Sequence, residues 1–271
     1  MIGSAYKLYL LDIEGTVAPL SLVTEQLFPY ARKPFERFLW QSEAETQERI
    51  ARGQDELEEG SVWRDLMELG FENRKESDPG APRIWPARAD EASAQGKPRV
   101  VTMAPDEAIP KFLDYIYWLM DRDRKSTALK SLQGKIWKRG FESGELNGIL
   151  FPDVPEALAR WAACGKVVIY SSGSVEAQEL LFRYSNYGDL TAHLSAYFDT
   201  RTGAKRESAS YAMIAAAMGV GPGEAIFFSD VVAELDAARE AGFATRLVVR
   251  PGNAAVEDAN GHGTVETLAL I

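Results

Sequence analysis

The chain has 271 residues, 46% hydrophobic and 26% charged, with a formal net charge of −10. That length can bury one large core or two modest ones, and the negative balance argues against nucleic acid or an anionic membrane as a partner. No apolar run is long enough to span a bilayer. The opening MIGSAYK lacks the basic and apolar regions of a signal peptide. The single cysteine, Cys164, leaves no internal disulfide and no cysteine-built metal site, which points to a reduced, cytoplasmic setting. Histidine is scarce too. Only His193 and His262 occur and no GxSxG elbow is present, so carboxylates and a lysine have to carry any catalysis.

Residues 6–20 read YKLYLLDIEGTVAPL. The nearly unbroken apolar run from Tyr6 to Leu11 predicts a buried strand, and Asp12 and Glu14 stand where it hands over to a turn. Two carboxylates at such a place need solvent, a cation or a chemical task. From about Glu25 to Leu150 the periodicity is helical: Ile109, Phe112, Leu113, Ile116 and Met120 form one stripe, and Leu129, Leu132 and Ile136 another. Trp40, Trp63, Trp85, Trp118 and Trp137, five of the six tryptophans, lie here. The run QDELEEG at 54–60 reads as an exposed helical face, and 74–99, rich in Pro, Gly, Ala and charge, as a loop.

Strands and helices then alternate. VVIYSS at 167–172 predicts a strand, followed by a helix over 175–184 with Ser174 as N-cap and Glu176 in the first turn. Tyr211, Ile214, Ala215 and Met218 mark a helix over 207–218 that stops at Gly219. AIFFSD at 225–230 is a strand, a helix over 233–241 closes on Gly242, and ATRLVVR at 244–250 is a strand ended by Pro251 and Gly252. Such units imply right-handed crossovers and an α/β, doubly wound parallel sheet. Residues 1–24 and 151–271 form this core, and 25–150 are inserted as a helical cap. Working groups in such sheets gather at the carboxyl ends of the strands. Asp12, Ser171, Ser172 and Asp230 therefore converge on one acidic, hydroxyl-lined patch.

DIEGT, YSSGS, TGAKRES and FFSDVVAELDAA, in that order, resemble the motifs of the haloacid dehalogenase-like (HAD) phosphohydrolases, whose usual opening is DxD-G-T. A phosphate monoester carries about two negative charges near neutral pH, so a carboxylate needs help to approach it. The resemblance implies that Mg²⁺ supplies it, binding carboxylates and phosphate oxygens together. Asp12 is then the nucleophile that forms an aspartyl-phosphate, and Asp230 a metal ligand. Ser171 or Ser172, with backbone N–H groups before the helix, binds the phosphoryl oxygens, and Lys205 neutralises charge on Asp12 and the transferring group. Glu14 replaces the usual second aspartate and is one methylene longer; it is assigned a backbone-carbonyl contact to the metal, and a general acid/base role stays open. Glu234 and Asp236, early in a helix where the dipole favours acids, are given no direct ligation.

Together with LFPYAR, DRKSTALKSLQGKIWKRGFESGEL, FPDVPEAL, FDTRTGAKRESASY and REAGFATRLVVRPGN, these motifs look like those of the acireductone synthases (enolase-phosphatases) of methionine salvage, over nearly the whole chain. That resemblance implies a Mg²⁺-dependent monomer acting on a small phosphate ester, 2,3-diketo-5-methylthiopentyl 1-phosphate, by enolisation and then dephosphorylation. It places the metal on Asp12, Glu14 and Asp230, and the substrate on Ser171, Ser172 and Lys205. A HAD phosphatase for another small sugar or polyol phosphate is the alternative. Two departures stand out: VAPLSLV makes the stretch after DIEGT an apolar flap through Val17, Ala18 and Leu22, and Gly140-Phe141 replaces a Gly-Tyr. Trp137, near that pair, is the aromatic expected to approach a methylthio group.

Overall fold

The computed structural model describes residues 6–53, 60–85 and 103–269. The charge run at 54–60 lies outside these apart from Gly60, as does the expected loop beyond Trp85. Among the described residues six strands form: β1 (Leu8–Leu11), β2 (Lys166–Tyr170), β3 (Ala196–Phe198), β4 (Ala225–Ser229), β5 (Ala244–Val248) and β6 (Gly263–Val265). Helices α1 (Phe28–Arg32), α2 (Phe35–Ala51), α3 (Val62–Lys75), α4 (Pro105–Asp121) and α5 (Thr127–Glu142) lie between β1 and β2 in sequence. Helices α6 (Val154–Ala162), α7 (Val175–Arg183), α8 (Ser208–Ala217) and α9 (Val232–Glu240) follow.

The six strands make one parallel sheet in the order β3-β2-β1-β4-β5-β6. The chain winds outward from β1 in one direction and then from β4 in the other, so the strand order reverses between these two. That switch point is where the carboxyl ends of a doubly wound sheet open a crevice. All four residues of β1 are buried, as its central place requires, and the strand's alternation sends its side chains into two cores. Tyr9 and Leu11 join Val167, Ile169, Ile226 and Phe228 against α6, where Tyr9 stacks on Trp161 at 5.0 Å and Trp161 on Phe228 at 5.1 Å. Leu8 and Leu10 join Val168, Tyr170 and Phe227 against Tyr211 and Ile214 of α8 and Leu235 of α9.

The expected strands at 167–172, 225–230 and 244–250 appear slightly shortened, so Ser171, Ser172 and Asp230 stand just past their strands. The sequence did not announce β3 and β6. Each has three residues, and partial burial at the sheet margins leaves no apolar run to recognise.

The chain divides into two compact units, one of Met1–Phe28 with Lys138–Ile271 and one of Pro29–Trp137. The sequence reading set the crossings at 24/25 and 150/151; in the structure the second falls inside α5. The inserted unit has its own core, built from Phe35, Phe38, Leu66, Ile109, Phe112, Ile116, Leu132 and Ile136, and Trp137 packs against it. Phe141 belongs with the sheet, buried and stacked on Tyr184 at 6.0 Å. Val17, Ala18 and Leu22 correct the flap reading: all three are buried in the core shared by β1 and α6. Their apolar character is that of interior positions.

One buried ion pair ties the tail of the chain to the start of α6. Asp153 Oδ2 accepts from Arg250 Nη1 at 2.9 Å, Thr267 Oγ1 at 2.9 Å and the Leu268 N–H at 2.6 Å. The Arg250 guanidinium lies 4.4 Å from the centre of the Phe151 ring. Removing one partner of such a pair leaves the other charged, buried and unmatched, at a cost of about 3–5 kcal/mol. Asp153→Ala is therefore expected to lower unfolding free energy by about that much in urea titrations; a loss within experimental error of zero would contradict this account.

Candidate active site

Leu11 pairs with Ile169 on one side and Phe228 on the other, which sets the next residue, Asp12, at the switch point. The Asp12 N–H donates to Phe228 O at 3.0 Å. Its carboxylate is held on three sides: Oδ1 accepts from the Ile13 N–H at 2.8 Å and lies 2.7 Å from Lys205 Nζ, and Oδ2 lies 3.5 Å from Ser229 Oγ. Lys205 Nζ is also 2.7 Å from Glu234 Oε2, which accepts from Ser229 Oγ at 3.1 Å.

The lysine reaches this place because its loop hangs from core hydroxyls. Three consecutive carbonyls, of Gly203, Ala204 and Lys205, accept from Tyr170 Oη at 2.9 Å, Ser210 Oγ at 2.8 Å and Tyr211 Oη at 2.7 Å. Burial works to lower the Lys205 pKa, but Asp12 and Glu234 together outweigh it and hold the ammonium above its ordinary value.

Gly15 brings the two acidic strand ends together. Its φ is +69°, and a Cβ there would lie 2.2 Å from Asp230 Oδ2, so only glycine fits. Burial, and then the charge of Asp12, push Asp230 up to about 6. Burial raises Glu14 and Glu234 as well, with Asp12 adding to both and Lys205 opposing. Four carboxylates thus face one ammonium, and among the described residues no second cation is paired with them. The donors are all hard oxygens. Among the described residues no three carboxylate, imidazole or thiolate side chains form a ready-made metal cage. Two carboxylates with a main-chain carbonyl and retained water is the binding style of Mg²⁺, so the residues present fit that ion.

Ser171 and Ser172 follow β2, the neighbour of β1; Ser171 is buried and Ser172 exposed. Neither is hydrogen-bonded to Asp12 among the described residues. The helix cap is Ser174, whose Oγ accepts from the Ala177 N–H at 3.3 Å, so neither upstream serine is used for capping. Gln178 Nε2 donates to Gly173 O at 2.8 Å and Phe198 O at 2.9 Å, tying this loop to the end of β3.

Other candidates lie elsewhere. Asp236 turns away and accepts from Arg239, Asn260 and His262, while His262 is buried between it and Thr245. Cys164 bonds through Sγ to the last carbonyls of α6. Sequence reasoning missed Ser229 and the pairing role of Glu234. For Glu234 a signal existed, since it lies four residues past Asp230 at the start of a helix. For Ser229 there was none.

Fold and site define a hydrolase of the haloacid dehalogenase-like class, and the family model for haloacid dehalogenase-like hydrolases matches residues 6–242. The enolase-phosphatase E1 of Synechococcus elongatus is 49% identical over 249 residues, 92% of this chain and 90% of that protein. A probable bifunctional methylthioribulose-1-phosphate dehydratase/enolase-phosphatase E1 of Physcomitrium patens is 41% identical over 98% of this chain, which spans 48% of that protein. The crystal structure of the UTR4 protein of Saccharomyces cerevisiae matches with a TM-score of 0.67 at 31% identity, covering 97% of this chain and 98% of that one. This chain belongs to the enolase-phosphatase E1 family of haloacid dehalogenase-like hydrolases.

Gly15→Ala is expected to force the 15–230 contact apart and to cost about 1–3 kcal/mol in left-handed strain; an unaltered urea midpoint would count against the close packing. The raised Asp230 pKa has its own signature in metal-free protein. Its folded value of about 6 exceeds the ordinary 3.8, so the native state binds the extra proton. The resulting stability is full below 3.8 and is lost as pH rises through about 6. Asp230→Asn removes this contribution, so between those pH values its stability should fall less steeply than that of wild type. Parallel profiles would refute the shift.

Proposed function

We propose that the protein is a Mg²⁺-dependent enolase-phosphatase that converts 2,3-diketo-5-methylthiopentyl 1-phosphate to acireductone and phosphate in methionine salvage, as a cytoplasmic monomer. The observation that carries the phosphatase chemistry is the Lys205 ammonium at 2.7 Å from both Asp12 and Glu234, at a strand switch point beside Asp230. The choice of diketone draws on the likeness to enolase-phosphatases E1, which runs over 92% of the chain and so includes the inserted helices. The sulfur-bearing substrate is in keeping with the methylthioribulose-1-phosphate chemistry named for the Physcomitrium patens relative.

Asp12 and Asp230, with the main-chain carbonyl of Glu14, would hold Mg²⁺, which when bound neutralises phosphoryl oxygens and carboxylates together. Asp12 attacks phosphorus through the carboxylate oxygen that Lys205 does not occupy. The P–O bond to the substrate breaks, its electron pair leaves with the alkoxide or enolate oxygen, and Asp12 becomes an acyl phosphate. Water then attacks that phosphorus, releasing phosphate and restoring the carboxylate. Lys205 holds the Asp12 carboxylate in place, and Glu234, pinned by Ser229, holds Lys205. Ser171, Ser172 and the backbone N–H groups beside them receive the phosphoryl oxygens. No nucleic acid or membrane takes part in this reading, and no described helix is long and apolar enough to cross a membrane.

The test follows phosphate release and acireductone absorbance together, with Mg²⁺ present. Both signals should rise, and both should vanish with chelator. Phosphate without acireductone, or turnover confined to sugar and polyol phosphates, would keep the hydrolase and discard this substrate. Asp12→Asn should lower phosphate release at least about a thousand-fold with folding intact; substantial residual turnover would overturn the nucleophile assignment.

A further inference from the structure

The segment after β5 reaches across the sheet to the loop that follows β1. Asn253 Nδ2 donates to Gly15 O at 2.9 Å, and Arg250 Nε donates to Thr16 O at 3.0 Å. These are successive carbonyls, and each peptide group involved is held at its other side as well. The Thr16 N–H donates to Ile13 O at 3.2 Å and the Val17 N–H to the same oxygen at 2.9 Å. The peptide before them, which carries the Glu14 carbonyl, is anchored by its Gly15 N–H to Ala18 O at 2.8 Å. Three consecutive peptide planes between Glu14 and Val17 are therefore fixed, two of them by side chains from a segment remote in sequence.

Gly15 shows how tight this arrangement is. A Cβ at that position would meet Asp230 on one side and Asn253 Nδ2, at 3.2 Å, on the other. The glycine backbone is thus packed between a carboxylate of the site and the amide that braces it. Arg250 cannot drift, because Asp153 and the Glu266 carbonyl hold its Nη1, at 2.9 and 3.1 Å, and its side chain is almost wholly buried.

We infer that Asn253 and Arg250 are positioning residues that aim the Glu14 carbonyl and seat Gly15 against Asp230, and so set the affinity of the site for Mg²⁺. The inference rests on the metal reading given above. Neither side chain is assigned to substrate or to the ion; both act through the main chain of the loop. Partners one layer out from a metal site typically change its affinity 10–100-fold when removed.

The test uses the metal-free full-length protein and MgCl₂ alone, titrated calorimetrically, with urea unfolding as the stability control. Asn253 is half-exposed and Asn253→Ala removes a single hydrogen bond, so this variant folds. It should bind Mg²⁺ at least about tenfold more weakly than wild type. Arg250→Lys, which keeps the cation but loses the Nε donor, should shift in the same direction. A purely structural brace would lower the urea midpoint and leave Mg²⁺ affinity alone. Affinity of Asn253→Ala within twofold of wild type therefore overturns the inference while leaving the metal site standing. Wild-type protein that binds no Mg²⁺ overturns the metal reading, and this inference with it.

Discussion

The Lys205 ammonium, held between Asp12 and Glu234, is the interaction on which the rest of the site depends. A cation taken out of water is tolerated only when matched by charge and by good geometry, and here two carboxylates match it at 2.7 Å each. Glu14 and Asp230 stand close enough to raise the total to four carboxylates, which is why burial and mutual repulsion push Glu14, Asp230 and Glu234 upward. Beyond what Lys205 offsets, the site stores negative charge that no other side chain among the described residues is seen to pair. Under the proposed function, a divalent cation held by Asp12, Asp230 and the Glu14 carbonyl would relieve it.

Such a concentration of charge has to be built on something stiff. The sheet supplies this through β1, whose four residues are all buried and which takes partners on both edges. Its alternating side chains lock into two separate cores, with Tyr9, Trp161 and Phe228 stacked in one and Tyr170, Tyr211 and Phe227 gathered in the other. The second core also does chemical service. Tyr170 and Tyr211 send their hydroxyls out to the carbonyls of Gly203 and Lys205, so the packing that stabilises the sheet fixes the loop that delivers the ammonium. Core packing and the placement of Lys205 share these two rings.

Much of this was legible beforehand. β1, β2 and β4 are short apolar runs ended by polar residues, β5 is a strand closed by Pro251 and Gly252, and all four are recognisable as strands of a parallel sheet. The stripe from Ile109 to Met120 packs in the inserted core as its spacing implied. What escaped notice was whatever depended on a remote neighbour. Val17, Ala18 and Leu22 read as a flap because a loop's burial is invisible until something covers it. Glu234 read as an ordinary helix-start acid because its partner arrives from the loop before α8. β3 and β6 were too short and too weakly apolar to declare themselves.

By itself the sequence determined the class of fold and the chemical types at the strand ends. Period, capping and strand length are local properties, written in neighbouring residues. Only the tertiary structure decided which of those groups meet. It set Asp230 against Gly15, Lys205 between two carboxylates, and Asn253 and Arg250 on the loop that carries Glu14. Those meetings follow from sheet order and register, which are settled by burying two cores at once, and no local stretch of the chain contains that information.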